Sequence, residues 1–189
     1  MAARSGERRL QILQTLASML ESPRSEKVTT AALAAKLDVS EAALYRHFAS
    51  KAQMYEGLIE FIETTLFSFI NRITGENEDG VAQAEQTVVM LLSFAEKNPG
   101  MTRVLIGEAL VNEDERLQAR INQLTDKLEA ALRQSLRIAQ AANGWHGDAQ
   151  ADAAVLIAYV LGRWQLFAKS GFKRTPQDGW TLQRKFLFG

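Results

Sequence analysis

Three features of this 189-residue chain predict an all-α fold. Apolar residues recur at three- and four-residue spacing from end to end, the helical period. No stretch alternates apolar and polar residues as a half-buried strand does. Proline is scarce, at 3, which suits long unbroken helices.

The elements follow in order. Glu7 to Glu21 is expected to form the first helix, with Leu13, Leu16, Ala17 and Leu20 as its apolar stripe. Ser22-Pro23 ends it, because the residue before proline is pushed out of the helical region. Arg4, Arg8 and Arg9 precede or open this helix and read as a flexible basic arm or as a solvated terminus. Thr29 or Thr30 caps a second helix running to about Leu37, with Leu33 and Leu37 inward and the small Ala34 at a close crossing. Asp38 opens a turn that needs a left-handed residue, and Asp tolerates that conformation better than most. Val39 fills the corner. Ser40 is a good N-cap for a third helix from Glu41 to about His47. Leu44 and Phe48 turn inward there, while Glu41, Ala42, Ala43 and Arg46 point outward.

Ser50-Lys51-Ala52-Gln53 has the form of a capping box. It opens a long helix to about Ile73, with an apolar stripe of Met54, Leu58, Phe61, Ile62, Thr65, Leu66, Phe69 and Ile73. Residues 75–80 read as a loop. Their glycine spacing matches a phosphate loop, but Val81-Ala82 stands where Lys-Ser/Thr is needed, which excludes that reading. Val81 to Lys97 is a helix with Ala84, Val88, Leu91, Leu92 and Ala95 on one face, stopped by Asn98-Pro99-Gly100, and Met101 to Leu110 is a short one. Glu113, Asp114 and Glu115 suit the positive start of a helix that runs to about Ala141. Ala149 to Ser170 is apolar nearly all round, so it is expected to be buried by its own domain and by a partner. A last short helix is expected near Gln177 to Phe186.

Composition narrows the chemistry. The chain has no Cys and 2 His, which rules out disulfides, thiol nucleophiles and Cys-based zinc sites. His47 belongs to the helical hairpin, and His146 sits in a loop with Trp145 and Asp148 as a weak surface cluster. No enzyme activity, cofactor or metal is therefore expected. No run is expected to reach the length of a membrane span, and residues 1–9 lack the apolar centre of a signal peptide, so a cytoplasmic location is expected. Formal net charge is zero. Residues 1–55 nevertheless hold eight basic against five acidic residues, a net +3 balanced by −3 in the rest. A basic head on an acidic body fits a polyanion-binding end and a protein-contacting end.

The stretch from Thr29 to Lys51 carries the sharpest signal. A helix-turn-helix lays its second helix in the major groove while its first crosses the backbone. Ala42 and Ala43 are small enough to lie against base edges, and a methyl can touch thymine. Arg46 can reach a guanine edge or a phosphate. Thr29, Thr30, Ser40, Tyr45, His47 and Lys51, with Glu41 beside them, complete the candidate DNA-contacting set. Spacing alone also allows an ordinary helical hairpin with no ligand.

That stretch, T-T-A-A-L-A-A-K-L-D-V-S-E-A-A-L-Y-R-H-F-A-S-K, resembles the DNA-binding signature of the TetR family, above all at Val39-Ser40, Leu44-Tyr45, Phe48 and Ser50-Lys51. The resemblance implies an N-terminal three-helix helix-turn-helix domain, residues 1–52, followed by a helical regulatory and dimerisation body, residues 53–189. Further blocks, L-I-E-F-I-E (58–63), E-K-N-P-G-M-T-R (96–103) and R-L-Q-A-R-I-N-Q-L (116–124), resemble the branch of that family that acts in nucleoid occlusion. This implies a homodimer that binds chromosomal palindromes and then disrupts polymers of the tubulin-like division protein FtsZ. The positions matching that branch's FtsZ contacts are Phe61, Met90, Ser93, Lys97 and Asn98, with Ser93 departing from the usual glycine. The place of Phe61 in an apolar stripe makes core packing its alternative role. A competing reading is a repressor released from its operator by a small ligand, with Phe94, Tyr159, Trp164 and Phe167 lining the pocket.

Overall fold

Helix boundaries in this protein are set mostly by local capping groups. The computed structural model describes residues 2–22 and 28–189, the first four of them as backbone alone. Among these residues there is no strand. The helices are α1 (Ala2–Met19), α2 (Thr30–Lys36), α3 (Glu41–Tyr45), α4 (Lys51–Glu76), α5 (Gly80–Lys97), α6 (Pro99–Leu105), α7 (Glu115–Ala141), α8 (Ala149–Lys169) and α9 (Trp180–Phe188). A 3-10 turn, Glu108–Leu110, lies between α6 and α7.

Several boundaries differ from the sequence reading. Helix α1 begins at Ala2, so Arg8 and Arg9 are helical residues and not a flexible arm. Its expected stop at Pro23 lies outside the described residues, as does the side chain of Arg4. Helix α4 continues through Gly75 to Glu76, which shortens the expected loop to residues 77–79. Asn98-Pro99-Gly100 does not merely stop α5. Pro99 opens α6, the position where its missing N–H costs nothing. The expected helix from Met101 to Leu110 breaks after Leu105, and Gly107 takes the left-handed φ of 76° that restarts the chain.

The chain packs as two units. The first comprises Met1–Ile62 and Asn98–Ile121. Its core contains Ile12, Leu16, Leu33, Leu44, Phe48, Met54, Leu58 and Ile59, all buried. Each such side chain contributes on the order of 1.5–3 kcal/mol. Helix α6 lies hard against α1: a Cβ at Gly100 would stand 1.9 Å from the Ala17 carbonyl oxygen. Beside it, Arg103 Nη1 donates to the carbonyls of Leu20 (3.1 Å) and Ser22 (2.8 Å), closing the C-terminal end of α1.

The second unit comprises Glu63–Lys97 and Asn122–Gly189. Helix α5 buries Ala84, Val88, Leu91, Leu92 and Ala95, the face expected from spacing. Helices α5 and α8 meet where Trp164, 1% exposed, donates its indole N–H to the Leu91 carbonyl at 3.1 Å. That bond satisfies the one polar group of the largest buried side chain. Arg163 donates to the carbonyls of Thr175, Pro176 and Asp178, pinning the segment before α9. Arg184 on α9 makes two 2.6 Å bonds to Glu85 on α5.

Helix α8 is long and apolar enough to cross a membrane by length and composition alone, a property it shares with the core helices of folded domains. Its inner face (Ala153, Leu156, Ile157, Val160, Trp164, Phe167) is core of the second unit. Its outer face carries Ala151, Ala154, Val155, Ala158 and Leu166, all exposed. Leu182 and Phe186 of α9 are exposed as well.

Candidate nucleic-acid interface

The helical hairpin is built by short-range hydrogen bonds. Thr29 is the N-cap of α2, its Oγ1 accepting from the Ala32 amide at 3.1 Å. Asp38 takes φ 52°, the left-handed turn anticipated for it. Ser40 is the N-cap of α3, its Oγ accepting from the Ala43 amide at 3.3 Å. Caps of this kind contribute about 1 kcal/mol each. Leu33, Ala34 and Leu44 bury the inner faces of the two helices, with Phe48 just beyond α3.

The outer side presents the other candidate residues. Glu41, Ala42 and Arg46 are exposed, Ala43 is half-buried, and Tyr45 is 44% exposed despite being aromatic. Thr30 Oγ1 donates to Glu41 Oε2 at 2.6 Å, linking the first residues of α2 and α3. His47 is half-buried, and its carbonyl accepts from Arg9 Nη1 at 2.5 Å. The same guanidinium lies over the Phe48 ring, 4.2 Å from its centre. Arg9 thus holds α1 to the end of α3, a role its sequence position did not reveal.

The start of α4 is held by Ser50, whose Oγ accepts from the Gln53 amide at 3.1 Å. The returning half of the expected capping box lands one residue early, Gln53 Oε1 accepting from the Ala49 amide at 2.9 Å. Lys51 is not a free cation. Its Nζ pairs with Glu113 Oε1 at 2.5 Å and lies 5.7 Å from the centre of the Tyr55 ring. Tyr55 is buried, and burial followed by the charge of Glu113 pushes its phenol well above the usual range. Glu113 is missed by sequence reasoning, which took it as a helix-start acid. It lies 62 residues from Lys51, and no local pattern links the two.

The second candidate set falls in both units. Phe61 and Asn98 belong to the first, and Met90, Ser93 and Lys97 to the second. Phe61 is half-buried, whereas its stripe neighbours Leu58, Ile62 and Leu66 are fully buried. Met90 and Ser93 are half-buried on α5, and Lys97 is exposed at its last turn. Asn98 precedes α6, its carbonyl accepting from both the amide and the hydroxyl of Thr102 at 2.9 and 3.0 Å.

The aromatic residues weighed as a ligand pocket all lie in the second unit. Phe94, Trp164 and Phe167 are buried, Phe167 edge-on to Phe172 with ring centres 5.1 Å apart. Tyr159 donates to Gln183 Oε1 at 2.5 Å. Near His146, Asp148 caps α8 and Trp145 donates to Asp152, so no shared cluster forms among these three.

Hairpin and helical body together define a helix-turn-helix DNA-binding regulator. The family described as bacterial regulatory proteins of the tetR family matches residues 25–58, and the SlmA-like, tetracyclin repressor-like C-terminal domain matches residues 78–189. The nucleoid occlusion factor SlmA of Alteromonas mediterranea is 48% identical over 184 residues, 96% of this chain and 94% of the relative. That of Marinomonas sp. is 48% identical over 186 residues, 97% of this chain and 94% of the relative. The chain belongs to the SlmA family of nucleoid occlusion factors. The fold is shared more widely. The transcriptional regulator FadR of Bacillus subtilis, solved with stearoyl-CoA, superposes with a TM-score of 0.78 at 12% identity, covering 95% of this chain and 97% of that one. A transcriptional regulator of Cytophaga hutchinsonii gives 0.66 at 15% identity, covering 94% and 95%.

Proposed function

We propose that this nucleoid occlusion factor acts as a homodimer that docks on chromosomal palindromes and, when docked, inhibits FtsZ ring assembly. Residues 1–52 carry the DNA-contacting groups, and residues 53–189 the regulatory and dimerising ones. Thr29, Thr30, Ser40, Glu41, Ala42, Ala43, Tyr45, Arg46, His47 and Lys51 form the DNA side. Phe61, Met90, Ser93, Lys97 and Asn98 form the FtsZ side. The protein works in the cytoplasm, on the nucleoid.

The observation that carries this reading is the likeness to SlmA relatives over nearly the whole chain, at 48% identity, and not over the hairpin alone. A body kept only for ligand-controlled repression would have no reason to match there. The outer face of α8, where Ala151, Ala154, Val155, Ala158 and Leu166 are all exposed, supports a second copy as the dimer partner.

The test is sedimentation of FtsZ polymers with the full chain, with and without a palindromic site selected by the protein itself. DNA should sharply increase the loss of polymer from the pellet. A pellet unchanged by DNA would overturn the FtsZ reading while leaving DNA binding intact.

A further inference from the structure

Glu41 is an anomaly on a surface that faces a polyanion. Thr29, Ser40, Ala42, Tyr45 and Arg46 around it are neutral or cationic. The other exposed acid of the hairpin, Asp38, is accounted for by its left-handed turn. Glu41 is exposed, and as the first residue of α3 it sits where a recognition helix meets base edges. A carboxylate there repels phosphates and lowers affinity for DNA in general, unless something on the DNA rewards it.

The hydrogen bond from Thr30 supplies the second observation. The Thr30 hydroxyl donates to Glu41 Oε2 at 2.6 Å, across the gap between α2 and α3. This fixes the carboxylate, engages Oε2 and leaves Oε1 to accept from a group outside the chain. It also turns the Thr30 hydroxyl proton toward Glu41. An ionised carboxylate only accepts hydrogen bonds. In the major groove guanine offers two acceptors, and thymine an acceptor and a methyl. Adenine offers a donor beside an acceptor that repels the carboxylate, and cytosine offers the N4 amino donor without that neighbour.

We propose that Glu41 reads a cytosine amino group in each half-site and that Thr30 is its positioning residue. The proposal rests on the DNA-binding reading above. Glu41 then acts in two ways: it accepts from cytosine at one position and penalises every site where no amino group meets it.

The experiment is selection from a randomised duplex pool by the full chain and by E41A, E41Q, T30V and T30S, with melting of each variant recorded. The wild type should enrich cytosine at one position per half-site by about 10-fold or more over other bases. E41A should lose that preference at that position alone and bind unrelated duplex more tightly. E41Q keeps an oxygen for Thr30 but gains an amino donor, so its preference should move toward adenine. T30V should blur the cytosine preference and T30S retain it. If E41A and E41Q enrich the same bases as the wild type at every position, Glu41 merely braces the hairpin and the proposal is overturned. If the wild type enriches no sequence at all, the DNA-binding reading falls and takes this one with it.

Discussion

The hairpin α2–α3 and the paired helices α8 and α9 both present exposed faces, but of opposite chemistry. The hairpin shows hydroxyls, a carboxylate, a phenol and a guanidinium, on Thr29, Ser40, Glu41, Tyr45 and Arg46. The α8–α9 surface shows Ala151, Val155, Ala158, Leu166, Leu182 and Phe186, with Phe186 90% exposed. A polar face gains from a charged, hydrated partner and is governed by counter-ions. An apolar face gains from exclusion of water and is nearly indifferent to salt. The two surfaces therefore answer to different physical variables and can be perturbed separately.

Salt is the broadest way to separate them. Between 50 and 200 mM salt, affinity for a palindromic duplex should fall about 10³-fold or more if six to ten phosphates are contacted. Self-association, followed by sedimentation equilibrium, should change less than about twofold over the same range. A dimer that loosened in parallel would show that its contact is polar and does not use the outer face of α8. Next in size is Val155→Glu, which puts a charge on the 56% exposed apolar site. It should weaken self-association about 100-fold, by roughly 2–3 kcal/mol, while leaving the melting of the monomer nearly unchanged. Unaltered sedimentation would move the dimer contact elsewhere.

Tyr45→Ala removes a surface phenol, 44% exposed, that is not part of the buried core. Fluorescence anisotropy should record about tenfold weaker binding to all duplexes alike, as for a group that sets register. A change confined to one sequence would make Tyr45 a base reader instead. The smallest effect is expected for Glu113→Gln, which frees Lys51 from its 2.5 Å partner. Duplex affinity should rise about two- to threefold at low salt, with a slightly steeper salt slope. Weaker binding would mean that the pair is needed to hold the start of α4 in place.

The sequence made the hairpin legible because its determinants are local. Thr29, Asp38 and Ser40 each act within three or four residues, so residue type and spacing sufficed to assign cap, turn and cap. The inner stripe of α5 was legible for the same reason. Arg9 was read as part of an arm or a solvated terminus because its partners, His47 and Phe48, lie 38 and more residues on. The pairing of Lys51 with Glu113 was not visible because Glu113 belongs to a distant segment. The break in the expected helix from Met101 to Leu110 escaped notice because Gly107 can be helical or left-handed. Its surroundings include Gln118, whose Oε1 lies 2.5 Å from where a Cβ would stand.

The clamp of α6 on α1 has a consequence for modularity. The carbonyls at the end of α1 are met by Arg103, and the backbone of Ala17 is covered by Gly100, about 80 residues later in the chain. The head is thus sewn from two separate lengths of polypeptide. A ribosome must deliver the second length before the first can finish, and a graft of the hairpin onto a foreign body must carry residues 98–121 with it.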